Sequence, residues 1–183
     1  MLGIHEQLVS IIVSIMIAVS SPVNAPTITP VTPIMNIKIE KIGINNSIYD
    51  KGTKENDIDK NVIILEDSDY PDKLYGTVLI GAHSGTGSKA YFKNLNKLAV
   101  GDTITLTYNN KTYNYKINKI SKDDKDGKIR IDYGTKANRL ILYTCYPGDK
   151  KSYLVISSTR WKLTVKPYVK SMHLKRKTIY IIQ

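Results

Sequence analysis

Two short segments joined by Asn109-Asn110 constrain this chain more than any other feature. Thr103, Thr105 and Thr107 alternate with Ile104, Leu106 and Tyr108, and Thr112-Tyr-Asn-Tyr-Lys-Ile117 follows the Asn pair. Alternation with a period of two buries one face of a strand and wets the other, which a helix cannot do. The asparagines between two such runs signal a β-hairpin. The rest of the body reads the same way. Ile37, Ile39, Ile42 and Ile44 alternate with polar residues around Lys41 and Gly43, and Val62–Leu65 is a short apolar run. Thr77–Ile80 closes at Gly81, while Leu140–Thr144 and Tyr153–Ser157 flank Pro147-Gly148. Trp161–Val165 is read as a last strand. The fair helix candidate is Lys89–Leu98, where Phe92, Leu95 and Leu98 recur at helical spacing. Many short strands with turns between them predict a mainly β chain, folded as a closed antiparallel barrel.

Length and charge agree with one exported domain. The 183 residues and 42% hydrophobic content suffice for a single core. The net charge of +11 is uneven: nine of the 27 Lys and Arg residues follow Asp149, the last acidic residue. Removing those nine leaves 18 basic against 16 acidic side chains, or +2, for the first 149 residues. A nucleic-acid surface would spread its charge over the folded body, so no nucleic acid is expected. Gln7 to Thr32 carries no charge, and Leu8–Val19 is apolar apart from two serines. Residues 1–25 therefore read as a signal peptide, cleaved after Val23-Asn24-Ala25, or as a membrane anchor. Pro22, Pro26, Pro30 and Pro33 make an extended spacer. The division is 1–25 signal or anchor, 26–33 linker, 34–167 barrel and 168–183 basic tail.

Two residues stand out chemically. Cys145 is the one cysteine, so an intrachain disulfide and a multi-cysteine zinc site are excluded. It ends the apolar run from Leu140, on the rim of the sheet. His83 ends the run from Thr77 and opens the polar loop Ser84–Ser88. His5 and His173 lie in the two terminal segments. A neutral thiol attacks poorly near pH 7, and an adjacent imidazole activates it. Cys145 and His83 are thus a candidate nucleophile and acid. The bland alternative is a small buried hydrophobe at Cys145.

The surrounding residues sharpen that reading. Leu142-Tyr143-Thr144-Cys145 resembles the Thr-Leu-x-Thr-Cys signature of sortases, with Ile141 where the signature has Thr. Tyr146-Pro147 is similar to the class D continuation, and Val78–His83 to the strand that runs into the family's catalytic His. Ile37–Ile44 with Ile48-Tyr49, and Leu98–Asp102, resemble further family segments in the right order. The resemblance covers about residues 34–163. It implies an eight-stranded sortase-like β-barrel with one or two short helices, and cysteine transpeptidase chemistry needing no cofactor. It implies secreted protein substrates bearing an LPxTG-like sorting motif, cleaved through a thioester. The amine acceptor would be peptidoglycan precursor or another protein, and the enzyme would sit at the outer face of the membrane, or be secreted if the leader is cleaved. The family's third member is an Arg just after the Cys. Here that stretch reads Lys150-Lys151-Ser152-Tyr153, so Arg160 is the expected cation, with Lys151 as the alternative.

Some sortases bind calcium in a loop that corresponds to Ser121–Gly127, which holds Asp123, Asp124 and Asp126. Lys122 and Lys125 interleave them and EF-hand spacing is absent, so a solvated turn is expected and no metal. An L,D-transpeptidase would need a Ser-His-Gly-Cys context that is missing. The alternative from another class is a secreted, non-enzymatic β-barrel module that binds anionic wall polymer, with Cys145 inert. Because the apolar leader takes no part in the barrel pattern, deleting Met1–Ala25 should leave a soluble domain with a cooperative thermal transition. An insoluble, unfolded product would assign the leader to the core.

Overall fold

The computed structural model describes residues 30–126 and 136–161. The chain divides into two units, residues 1–31 and 32–183, and the account below concerns the second. Its strands are β1 (Met35–Ile39), β2 (Ile44–Ile48), β3 (Ile63–Ile64), β4 (Thr77–Gly81), β5 (Thr103–Tyr108), β6 (Lys111–Asp124), β7 (Arg139–Tyr146) and β8 (Asp149–Arg160). They form one eight-stranded sheet in the order β2-β1-β5-β6-β8-β7-β4-β3. A single bridge, Ile48 to Val62, ties the two ends, so the barrel is nearly closed.

The hairpin forms as the alternation requires. β5 pairs with β6 from Thr103–Lys116 to Tyr108–Lys111. Asn109 and Asn110 both take positive φ, 49° and 58°, the backbone that a two-residue type I′ turn demands. Tyr146–Asp149 turns through Pro147 and a left-handed Gly148 at φ 78°, and Tyr146 pairs with Asp149 across it.

Three expectations need correction. The barrel is not wholly antiparallel: β4 and β7 run parallel, with Thr77 beside Arg139 and Gly81 beside Tyr143. The segment 89–98 is not an α-helix but a string of turns ending in one 3-10 turn at Leu95–Lys97. Its bonds run three residues back, as in Lys93 N–H to the Ala90 carbonyl and Leu98 N–H to the Leu95 carbonyl. Phe92, Leu95 and Leu98 still share one buried side, because three-residue turns stack that spacing as well as a helix does. Lastly, Asp123 and Asp124 belong to β6 rather than to a loop. The apolar leader, its cleavage site, residues 162–167 with all but Trp161 of the expected last strand, and the basic tail lie outside the described residues. No described helix is long and apolar enough to cross a membrane.

Side-chain alternation splits the apolar residues between two faces. Inside lie Ile37, Ile39, Ile104, Leu106, Tyr115, Ile117, Leu140, Leu142, Leu154 and Ile156. Outside, Leu79, Ile141, Tyr143 and Val155 form a smaller cluster against which Leu65 and Tyr153 pack. β4 is buried along its whole length, because Val78 and Ile80 point inward while Leu79 joins the outer cluster. Phe92 is 1% exposed, and its N–H donates to the His83 carbonyl at 2.9 Å, so one core anchor also fixes the loop after β4. Phe92→Ala should lower the unfolding free energy by about 3–5 kcal/mol in denaturant titrations. A loss below about 1 kcal/mol would show that this segment does not anchor in the core.

Candidate active site

Parallel strands bring their carboxyl ends to the same rim, which antiparallel strands cannot do. With Gly81 beside Tyr143, the residues two further on are His83 and Cys145. The pairing continues past the strand ends. Ala82 N–H donates to the Tyr143 carbonyl at 3.3 Å, and the buried Thr144 hydroxyl donates to the Ala82 carbonyl at 2.7 Å. Ser84 Oγ then donates to the Cys145 carbonyl at 2.7 Å. The two residues singled out by the sequence are thus held on neighbouring strands by a side-chain ladder. Alternation puts both on the outer face, in line with Gly81 and Tyr143.

The same face opens into a cleft of about 350 Å³ lined by Ile58, Ile63, Leu65, Gly81, Ala82, His83, Lys125, Tyr143, Thr144, Cys145 and Tyr153. One wall comes from the segment before β4. Asn56 clasps Ile64 through both its amide groups, accepting from the Ile64 N–H and donating to its carbonyl, each at 2.9 Å. That side chain therefore pairs an otherwise open strand edge. Tyr91 Oη donates to the Lys60 carbonyl at 2.8 Å. So braced, the segment sets Asp59 Oδ1 at 2.8 Å from His83 Nε2. An ionised carboxylate only accepts, so Nε2 carries a proton in this pair. The side chains are 42% and 81% exposed, so the contact orients the ring more than it stabilises the fold. A larger groove of about 580 Å³ runs past Ile34, Asp50, Tyr70 and Tyr108, but it contains neither cysteine nor histidine.

The β7–β8 turn is pinned by Asp149. Lys122 Nζ lies 2.8 Å from its carboxylate, and Ser152 Oγ and the Lys151 N–H both donate to it at 2.8 Å. These donors, Lys122 first, hold the Asp149 carboxyl far below the usual carboxylate range. The register slips between Cys145 and Tyr146, and such a bulge re-aims the residue beside it.

Arg160 is not brought to the thiol. Cys145 pairs with Tyr153, seven residues before Arg160, or about 23 Å along an extended strand. Arg160 also has the wrong parity, since it pairs with the core residue Tyr115. Its guanidinium lies 5.3 Å from the Tyr113 ring centroid and donates to the Pro71 carbonyl at 3.1 Å. Lys151 is exposed and meets the neighbouring strand through its carbonyl, which accepts from the Lys125 N–H at 2.9 Å. The cation at the sulfur is one the sequence did not single out: Lys125 Nζ is 3.0 Å from Cys145 Sγ. Neither did it single out Asp59. Among the described residues no three His, Cys, Asp or Glu side chains are grouped to hold a metal ion, and Asp123 and Asp124, adjacent on β6, face opposite ways.

The comparisons with known proteins bear on family and fold. A family model described as the Sortase domain matches residues 37–160. Sortase D of Bacillus subtilis (strain 168) is 32% identical over 111 residues, which cover 61% of this chain and 53% of that protein. The matched part thus spans about half the length of that curated relative. The structure of sortase C from Clostridium perfringens SM101 superposes with a TM-score of 0.58 at 28% identity, over 70% of this chain and 69% of that one. A lid mutant of sortase A from Corynebacterium diphtheriae gives 0.65 at 24% identity, over 78% and 77%. That last likeness concerns the fold alone.

Two variants separate the ladder from the far end of β8. Thr144→Val keeps the shape but orphans the Ala82 carbonyl, so it should cost about 1–3 kcal/mol of stability. Arg160→Ala should cost about 1–2 kcal/mol through its lost ring and carbonyl contacts, while the alkylation rate of Cys145 stays unchanged. A slower thiol in Arg160→Ala would mean that this arginine reaches the site after all.

Proposed function

Because the chain belongs to the sortase family, we propose that it is a cysteine transpeptidase acting on a short sorting motif of secreted proteins. The observation that carries this reading is the parallel β4–β7 register, which aligns His83 and Cys145 at one apolar cleft. In the reaction, the Cys145 thiolate adds to a backbone carbonyl carbon of the motif and the carbonyl electrons move to oxygen. Collapse of that adduct breaks the C–N bond. His83, as imidazolium, gives its proton to the departing amine, and a thioester remains on Cys145. An acceptor amine then attacks the thioester, returns a proton to His83 and releases the thiolate with a new amide bond.

Several features support the substrate class. Ile58, Ile63, Leu65 and Tyr143 offer an apolar wall that suits the aliphatic side chain of an LPxTG-like motif. Asp59, 2.8 Å from Nε2, keeps the imidazole turned. The acceptor is an amine of peptidoglycan precursor or of another protein, and residues 1–25 either anchor the enzyme at the outer face of the membrane or are cleaved to release it.

Incubation with a library of LPxTG-like peptides, followed by mass spectrometry of the intact chain, tests this directly. An acyl adduct on Cys145 that disappears when an amine acceptor is added is the expected result. Cys145→Ala should abolish adduct and turnover while changing stability by less than about 2 kcal/mol. His83→Ala should lower turnover by about 10²–10⁴-fold. Turnover that persists in Cys145→Ala, or a thiol inert to every peptide and to alkylating reagents, would overturn the reading in favour of a binding module.

A further inference from the structure

The family arginine is missing from the start of β8, and Arg160 points away from the cleft, so the question is which group supplies positive charge at the sulfur. Lys125 follows Asp124 at the end of β6, and its N–H extends the ladder to the Lys151 carbonyl. Across the sheet, Asp123 pairs with Tyr153 and Tyr153 with Cys145. Two residues past Asp123, Lys125 returns to their face. It stands two strands from Cys145, a lateral gap of about 10 Å, which only a long side chain spans. The Lys125 ammonium lies 5.0 Å from the Tyr153 ring centroid and reaches Cys145 Sγ at 3.0 Å. An aromatic face on the intervening strand thus carries the cation across.

We propose that Lys125 is the cationic member of this site: its ammonium holds the Cys145 sulfur as a thiolate and stays beside the carbonyl group that the sulfur attacks. The assignment rests on the transpeptidase reading. An ammonium has no lone pair, so a contact between Nζ and Sγ is donation to sulfur, and the thiolate is the better acceptor. The same contact pushes the Lys125 ammonium above the usual lysine range. Among the described residues, the other charged or titratable groups of this rim include His83 with Asp59 behind it, Tyr143 and Tyr153 on the cleft floor, Asp126 next to Lys125, and Lys122, which is bound to Asp149 and lies over the Tyr146 ring at the turn. Lys122 therefore has its charge matched by Asp149, while Lys125 faces the sulfur.

The test follows Cys145 alkylation by iodoacetamide between pH 6 and 10, in parallel with peptide turnover, on the full chain. Lys125→Met should slow alkylation at pH 7 about tenfold, with the two rates converging near pH 10, where the thiolate forms without help. Turnover should fall about 10²-fold. Lys125→Arg should bring alkylation back to within about threefold of the parent, and Lys125→Gln, polar but uncharged, should behave like Lys125→Met. Lys151→Met removes a neighbouring charge and should leave the alkylation profile where it was. The proposal is overturned if Lys125→Met and the parent share one alkylation profile. It is equally overturned if Lys125→Arg is as slow as Lys125→Met, or if Lys151→Met slows the thiol as much. Should the parent form no acyl adduct with any peptide, the transpeptidase reading fails, while the alkylation series still decides what Lys125 does to the sulfur.

Discussion

The parallel pairing of β4 with β7 is the constraint on which the rest depends. Every other strand pair in the sheet is antiparallel, and in such a pair one strand ends where its neighbour begins. Among neighbouring strands only β4 and β7 end together, so only there do two strand-terminal side chains lie side by side on adjacent strands. The pairing also needs cover on both faces of the sheet, because a parallel pair is flanked by long connections that pack over it. On the outer face, Leu65 from the connection before β4 packs on Leu79, Ile141, Tyr143 and Val155, and that face becomes the floor of the cleft. Site and fold are thus two consequences of one pairing.

How much of this the sequence discloses varies with the range of the cause. Local causes are legible. The Asn109-Asn110 turn and the Pro147-Gly148 turn form where backbone preference demands, and alternation correctly divides Thr103–Tyr108 into a wet and a dry face. The parallel pair left a trace too: Val78-Leu-Ile80 and Leu140-Ile-Leu-Tyr143 are unbroken apolar runs, which alternation on a one-sided sheet does not produce. The segment 89–98 misled because three-residue turns and helices present nearly the same apolar spacing. Lys125 lies twenty residues before Cys145, and nothing local marks it. Its proximity exists only once β6 reaches residue 124, slips register between Ile117 and Lys119, and lines up with β8 and β7. Arg160 misled for the same reason in reverse. Its distance from the cysteine in sequence is short, while its side of the sheet is fixed by pairing parity.

A cation delivered from β6 rather than from β8 changes what the site depends on. A guanidinium on β8 would be fixed by the same hairpin that carries the cysteine. An ammonium from β6 is fixed by a strand two places away, through Tyr153. The electrostatics of the thiol therefore report on the alignment of three strands, and Asp149, with its hold on Lys122 and Ser152, couples β6 to the β7–β8 turn at the point where that alignment matters.

The one-bridge closure between Ile48 and Val62 has a mechanical consequence. β3 has two residues and meets β4 at two register positions, so the wall that bears Ile63, Leu65 and Asp59 is attached by fewer backbone bonds than the long strands and leans on the Asn56 and Tyr91 side chains. Segments of that kind open at low free-energy cost while the rest of a sheet stays shut. The barrel thus behaves as a stiff cylinder with one compliant stave. That stave borders the cleft, so the width of the cleft can breathe without disturbing the pairing that aligns His83 with Cys145.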